Sequence, residues 1–205
     1  MLEFLFSQYK NYPNYEIVLE LGAIFFGLLS VWFAKKDNIW VFPTGIINTA
    51  IYVYLLWKWS LLGDMMINFY YVVMSIYGWY HWTRKKDDVI EFPISRMNAS
   101  EKKWSLIIFV LTITFVVIVY TFFDKFTHWT SYVDTFVTGI FFVGMWLMAK
   151  RKIENWILWI IGDIISIPMY FAKGYSFTSM QYLLFTIIAI YGYLEWKSIL
   201  QEKKV

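Results

Sequence analysis

Apolar residues form long stretches along this chain, and short polar segments separate them. A helix that crosses the hydrocarbon core of a bilayer needs about 20 mostly apolar residues. Seven stretches meet this requirement, so the pattern predicts an all-α membrane protein in which residues 1–205 form a single membrane domain. The predicted spanning helices cover residues 16–34, 39–57, 60–82, 104–123, 133–149, 153–171 and 175–196.

Basic residues are distributed unevenly among the segments that connect these helices. If the N-terminus lies outside, all but four of the 18 Lys and Arg residues fall on the cytoplasmic side. The four that remain outside are Lys10, Lys58, Lys125 and Lys173. Because segments rich in Lys and Arg stay in the cytoplasm during insertion, the distribution predicts an external N-terminus and a cytoplasmic C-terminus.

The two ends of the chain contain similar segments. Gly-Trp-Tyr-His-Trp at 78–82 corresponds to Gly-Tyr-Leu-Glu-Trp at 192–196, and a basic cluster precedes the second helix of each half. The similarity predicts two three-helix repeats, 16–82 and 133–197. Three spans alone would invert the second repeat, so a linker helix at 104–123 is expected to restore its direction. The result is a 3+1+3 arrangement with parallel repeats, which is one of the known plans of transporters.

Two strongly polar residues lie at the centres of predicted spanning helices. Asp163 is central in the sixth helix and Asn48 in the second. Hydrocarbon offers these groups no water, so they are costly unless they face protein, a cavity or a ligand. Helical spacing places Tyr52 on the face of Asn48, and Trp159 and Ser166 on the face of Asp163. The pattern therefore predicts a polar cavity halfway across the bilayer.

Two further helices contribute polar groups at a similar depth, namely Asn68 in the third helix and Gln181 with Tyr182 in the seventh. Rings, amides, hydroxyls and one carboxylate together suit a flat, cationic, hydroxyl-bearing solute, because an aromatic face attracts a cation. An alternative stays open for the amides, since Asn and Gln in membranes often only hydrogen-bond a neighbouring helix. Tyr and Trp are also common as packing or interfacial residues.

Several other function classes find no support. The chain has no cysteine, and its two histidines are predicted at a helix end and in a loop. No paired carboxylates, His-rich metal spacing or Ser/His arrangement lies at membrane depth, so no catalytic residue, metal or cofactor is predicted. A retinal-binding photoreceptor needs a lysine in the last helix, and 175–196 has none. The basic residues follow membrane topology, so nucleic acid is not a predicted partner.

Four segments of the chain resemble the PnuC family of bacterial vitamin transporters, and the resemblance covers about 16–197. They are Gly-Ile-Ile-Asn at 45–48, Ser-Ile-Tyr-Gly-Trp-Tyr-His-Trp at 75–82, Glu-Asn-Trp-Ile-Leu-Trp at 154–159 and Tyr-Gly-Tyr-Leu-Glu-Trp at 191–196. The resemblance implies facilitated diffusion of nicotinamide riboside across the bacterial inner membrane by alternating access, with a cytoplasmic kinase trapping the product. It also implies parallel three-helix repeats like those of sugar-permeating SWEET proteins, and self-association into a homo-oligomer surrounded by membrane lipid.

The resemblance further implies which residues contact the substrate: Asn48, Asn68, Trp159, Asp163, Gln181 and Tyr182. Asp163 stands where some relatives have Asn. A carboxylate there is compatible with the pyridinium charge of nicotinamide riboside, but equally with the thiazolium charge of thiamine. A thiamine facilitator therefore remains an alternative, and so does a proton-coupled carrier, because a buried carboxylate can titrate.

Overall fold

The computed structural model describes residues 13–58, 62–86, 89–174 and 176–202. Lys10, Lys203 and Lys204, which belong to the charge distribution above, lie outside the described residues. Seven long helices follow one another: α1 Asn14–Lys35, α2 Val41–Lys58, α3 Leu62–Thr83, α4 Ala99–Phe122, α5 Trp129–Ala149, α6 Glu154–Ala172 and α7 Ser176–Glu202. Between α3 and α4, the two-residue strands β1 Lys85–Lys86 and β2 Val89–Ile90 pair antiparallel. The predicted fold of seven long helices is confirmed.

Five of these helices are long and apolar enough to cross a membrane, namely α1, α4, α5, α6 and residues Thr178–Glu202 of α7. In the described residues α2 and α3 do not reach the same apolar content. The difference has a chemical reason, because α2 carries Asn48 near its middle, and α3 carries Asp64, Asn68 and several tyrosines. Amide, carboxylate and phenol groups lower the hydropathy of a helix without shortening it.

The chain divides into two compact units, Met1–Thr83 and Arg84–Val205. In the first unit α2 packs against both α1 and α3. In the second unit α6 packs against both α5 and α7, and α4 packs against α5. The middle helix of each triplet therefore has protein on two sides, which allows it to carry polar side chains away from lipid. Asn48 lies on one of these middle helices and Asp163 on the other.

Each unit contains an edge-to-face ring pair between its middle helix and the following helix. Phe42 and Trp82 have centroids 4.9 Å apart and planes at 87°, and Trp156 and Trp196 have centroids 5.6 Å apart and planes at 88°. All four side chains are buried. Trp156 follows Phe42 along the chain by the same number of residues as Trp196 follows Trp82. The internal repeat in the sequence thus corresponds to a repeated packing contact of the kind that aromatic rings prefer.

Candidate functional site

Asp163 lies in the middle of α6 and is only 2% exposed. Its carboxylate forms neither a hydrogen bond nor an ion pair with any of the described residues. Removing an unpaired carboxylate from water costs considerable free energy unless another group compensates it. A buried carboxylate without a protein partner is therefore suited to a cation, or to hydrogen-bond donors, supplied from outside the protein.

Four aromatic side chains, which we call the aromatic cluster, accompany Asp163 in the second unit. They are Phe141, Trp159, Tyr170 and Tyr182. Phe141 stacks with Trp159 at a centroid distance of 5.2 Å and with Tyr182 at 6.1 Å, where the two ring planes differ by only 2°. Tyr182 also stacks with Tyr170 at 5.1 Å. The cluster thus presents several near-parallel rings contributed by α5, α6 and α7.

Gly162 explains why Phe141 reaches this position. A Cβ atom placed on Gly162 would lie 2.3 Å from Cε1 of Phe141, which is closer than two carbon atoms approach. The ring therefore rests directly on the α6 backbone at the residue before Asp163. On α5, Gly144 faces Trp159 at an ordinary contact distance of 3.5 Å from its would-be Cβ to Cε2. Gly162 thus makes room for Phe141, whereas the space beside Gly144 would also accept a methyl group.

Two of the predicted site residues in the second unit, Ser166 and Gln181, retain unused hydrogen-bonding capacity. Ser166, three residues after Asp163 on the same helix face, is fully buried, and its Oγ has no partner in the described part of the chain. Gln181 is half-buried and likewise makes no side-chain hydrogen bond with the described residues. The Ser179 hydroxyl donates to the Ile167 carbonyl oxygen at 2.9 Å and fixes α7 against α6 close to these groups. Buried polar atoms normally have partners, so the unused capacity indicates a place for water or a polar solute.

The predicted site residues of the first unit are partly engaged in helix packing. Asn48 Nδ2 donates to the carbonyl oxygen of Ala23 on α1 at 2.6 Å. Gly27 permits this approach, because a Cβ there would lie 2.9 Å from the same nitrogen. Asn68 Nδ2 donates to the Asp64 carbonyl oxygen within its own helix at 3.0 Å. The amide of Asn48 thus has the bridging role that was the open alternative for this residue type, and Tyr52 is half-buried on the same helix.

Four predicted residues lie in this unit. Trp159, Asp163 and Ser166 share one face of α6, and Tyr182 on α7 is connected to Trp159 through the ring of Phe141. The structure thus adds Phe141, which the sequence analysis does not single out because the side chain has no polar atom. The signal that could have identified it is Gly162, a residue without a side chain directly before a central carboxylate. Among the described residues, no group of three or more His, Asp or Glu side chains is placed to hold a metal ion.

Residues 17–198 match the family model described as nicotinamide mononucleotide transporter. The chain belongs to this transporter family. It is therefore a multi-pass membrane transporter, and the family resemblance drawn from the sequence motifs is confirmed. The members of this family are transporters and not enzymes.

Curated relatives of this transporter family cover most of the chain. The nicotinamide riboside transporter PnuC of Escherichia coli strain K12 is 24% identical over 86% of this chain and 84% of its own length. The riboflavin/roseoflavin transporter RibM of Streptomyces davaonensis is 21% identical over 83% of this chain and 80% of its own length. A crystal structure of the vitamin B3 transporter PnuC superposes with a TM-score of 0.67 at 21% identity, covering 90% of this chain and 82% of that one. The match shows a shared fold.

Proposed function

We propose that this transporter carries nicotinamide riboside, a flat cationic nucleoside, across the bacterial inner membrane by facilitated diffusion. The observation that carries the proposal is Asp163, a buried carboxylate without a partner among the described residues, in a unit that also holds four stacked aromatic rings. A pyridinium ring is both planar and positively charged. It would stack on the aromatic cluster, and its charge would compensate the carboxylate.

The predicted site residues have three kinds of role in this proposal, namely stacking, charge balance and hydrogen bonding. Trp159 and Tyr182 stack on the ring, and Asp163 balances its charge, while Ser166 and Gln181 hydrogen-bond the ribose hydroxyls. In the first unit, the proposed contacts are Asn48, Asn68 and Tyr52. Asn48 is held by its Nδ2, and its Oδ1 accepts no hydrogen bond from the described residues. A fixed amide with an available oxygen is a suitable acceptor for a hydroxyl group.

Transport by alternating access would bring the solute to equilibrium, and phosphorylation of the product in the cytoplasm would keep its free concentration low. The protein itself then needs no ATP hydrolysis and no ion gradient. The N-terminus is proposed to lie outside and the C-terminus in the cytoplasm, where most of the basic residues would lie. Self-association in the membrane is part of the same proposal and rests on the family resemblance.

A binding titration of the purified protein tests the substrate and the role of Asp163 together. The ligands are nicotinamide riboside, thiamine, riboflavin and free ribose. We expect nicotinamide riboside to bind and Asp163→Asn to weaken that binding by about 10- to 100-fold, because a hydrogen bond to a charged group contributes about 1.5–3 kcal/mol. Glu195→Gln is the matched control, since it makes the same chemical change at an exposed position of α7.

The titration also separates the alternatives. A thiamine facilitator would bind thiamine more tightly than nicotinamide riboside and would lose affinity in the same Asp163 variant. Riboflavin is the substrate that the name of the Streptomyces relative suggests. Because riboflavin is uncharged, its affinity should depend on the rings and change little in Asp163→Asn. If Asp163→Asn binds nicotinamide riboside as well as the unaltered protein does, the proposed site is wrong.

A further inference from the structure

A cavity of about 340 Å³ lies in the second unit, where the chain enters α4 and where α7 ends. The segment before α4 contributes Ile94, Ser95 and Arg96, and the last turns of α7 contribute Lys197, Leu200 and Gln201. None of these residues belongs to the aromatic cluster or to the predicted substrate site. The volume falls within the range of about 300–1,000 Å³ that is typical of small-molecule sites.

One wall of this cavity is held firmly in place. The Ser95 backbone N–H donates to the Arg151 carbonyl oxygen at 3.1 Å, and the Ile153 N–H donates to the Ser95 carbonyl oxygen at 3.0 Å. The Lys152 ammonium also donates to the Ser95 hydroxyl oxygen at 2.9 Å. These three bonds fix the segment against the turn between α5 and α6. The hydrogen of the Ser95 hydroxyl remains available, and the wall needs little ordering when a ligand binds.

The charges around this cavity are unequally compensated. Glu101 forms ion pairs with both Lys150 and Lys152. The distances from their Nζ atoms to Oε1 of Glu101 are 3.6 Å and 3.0 Å. Arg96 and Lys197 form no ion pair or hydrogen bond with any of the described residues. The charge of Glu101 at the start of α4 is thus already balanced by two lysines. The two cations that line the cavity, Arg96 and Lys197, have no such counter-charge among the described residues. Two like charges at one cavity repel each other unless an anion is shared between them.

We propose that this cavity binds a phosphate ester. Arg96 and Lys197 supply two positive charges, and a guanidinium matches phosphate geometry with paired N–H donors. The Ser95 hydroxyl and the Gln201 amide are further hydrogen-bond donors. Ile94 and Leu200 offer apolar contact to the carbon portion of the ester.

Two sources could supply this chemistry, namely the headgroup of an anionic phospholipid and a soluble phosphate monoester. Basic pockets at the ends of membrane helices are known to hold anionic headgroups. The inference does not depend on the identity of the transported solute, because the cavity shares no residue with the proposed substrate site.

The test is a thermal-shift and fluorescence titration of the purified full chain in neutral detergent. The probes are phosphatidylglycerol, the zwitterionic phosphatidylcholine, glycerol phosphate and inorganic phosphate. The cavity variant is Arg96→Gln with Lys197→Gln. The matched control is Lys102→Gln with Lys103→Gln, which removes the same charge from exposed residues on the first turns of α4 that do not line the cavity. All four substituted side chains are exposed, so both variants should fold.

We expect at least one anionic probe to raise the melting temperature of the unaltered protein, and phosphatidylcholine to have no such effect. The cavity variant should bind that probe at least tenfold more weakly, whereas the control should change affinity less than twofold. Arg96→Lys should bind more tightly than the cavity variant but less tightly than the unaltered protein, because it keeps the charge and loses the paired N–H donors. A response to phosphatidylglycerol alone assigns the site to lipid, and a response to the soluble phosphates assigns it to a free ester.

Two results would overturn the proposal. One is the absence of any response to all three anionic probes. The other is an equal loss of affinity in the cavity variant and in the control, which would mean that only general surface charge attracts the anion.

Discussion

The ring of Phe141 on α5 rests on the backbone of α6 at Gly162, with its Cε1 atom 2.3 Å from where a Cβ of Gly162 would stand. Protein interiors are close-packed, so even one added methyl group must displace a neighbour. Here that neighbour is a ring stacked with both Trp159 and Tyr182. Gly162 therefore sets the geometry of the aromatic cluster as well as the spacing of two helices.

Gly162→Ala is expected to destabilise the protein by about 1–3 kcal/mol, the usual cost of overpacking. It should also weaken binding of an aromatic substrate, because Phe141 must tilt away from its stacked partners. Melting temperature and ligand titration measure the two effects. The double variant Gly162→Ala with Phe141→Leu should be more stable than Gly162→Ala alone, because leucine has no ring where the added methyl group must fit.

Gly22→Ala is the matched control for this prediction. A Cβ at Gly22 on α1 would meet nothing within 4 Å. Alanine is preferred to glycine in a helix by about 0.5–1 kcal/mol, so this variant should be neutral or slightly more stable. If Gly162→Ala and Gly22→Ala have the same effect on stability, Phe141 does not pack against α6 at Gly162.

The sequence was sufficient to predict the helices, because their apolar stretches have the length of a bilayer. It also singled out Asp163 as a candidate, because a central carboxylate is conspicuous among apolar residues. It was not sufficient for Phe141. A phenylalanine in an apolar helix has no chemical contrast with its neighbours, and its contact with Gly162 arises only when α5 and α6 pack together. Such a contact depends on the rotation of two helices, which one-dimensional spacing does not determine.

Asn48 is a second residue whose contacts depend on how two helices pack together. Its position predicted a polar group at membrane depth, but the bond from its Nδ2 to Ala23 depends on Gly27 one turn further along α1. Whether an amide faces a solute or a neighbouring helix is decided by the shape of that neighbour. The sequence analysis left the bridging role open for Asn68 and Gln181, and the structure shows such a bond at Asn48.

Asn48→Ala is expected to destabilise the first unit by about 0.6–1.7 kcal/mol, which are the mean and the maximum measured for side-chain hydrogen bonds between membrane helices. Asn68→Ala should have a smaller effect on stability, because its amide bonds only the Asp64 carbonyl oxygen of its own helix. Both variants should reduce uptake if both amides contact the substrate. Thermal unfolding and vesicle uptake of the two variants, compared side by side, separate structural from substrate effects. Equal melting temperatures would contradict the bridging role of Asn48.

The repeated ring pairs give a prediction about the symmetry of the fold. Phe42→Leu and Trp82→Leu, alone and combined, form one double-mutant cycle, and Trp156→Leu and Trp196→Leu form the equivalent cycle. Edge-to-face pairs contribute about 0.5–1.5 kcal/mol beyond the burial of their area, so each cycle should show a coupling energy in that range. Unfolding free energies of the seven proteins, namely the unaltered protein, four single variants and two double variants, measure it. Coupling in only one unit would mean that the two contacts are not energetically equivalent.

The charge of the proposed substrate leads to a prediction about its accumulation. A facilitator that moves one positive charge lets the membrane potential do work of about 2.3 kcal/mol per 100 mV, which corresponds to about 50-fold accumulation. We therefore expect vesicles that contain the purified protein and no kinase to concentrate nicotinamide riboside when a potassium diffusion potential makes the interior negative. Riboflavin, which is uncharged, should only equilibrate.

The same vesicles distinguish a simple facilitator from a proton-coupled carrier. With the potential clamped at zero, a pH gradient should cause no accumulation of nicotinamide riboside, because a facilitator couples to nothing but the charge of its solute. Accumulation driven by the pH gradient alone would show instead that a proton moves with the substrate. Asp163 would then be the first residue to examine, since it is a deeply buried carboxylate that has no partner in the described part of the chain. In that case Asp163→Asn should abolish the response to the pH gradient, while Glu195→Gln should leave it unchanged.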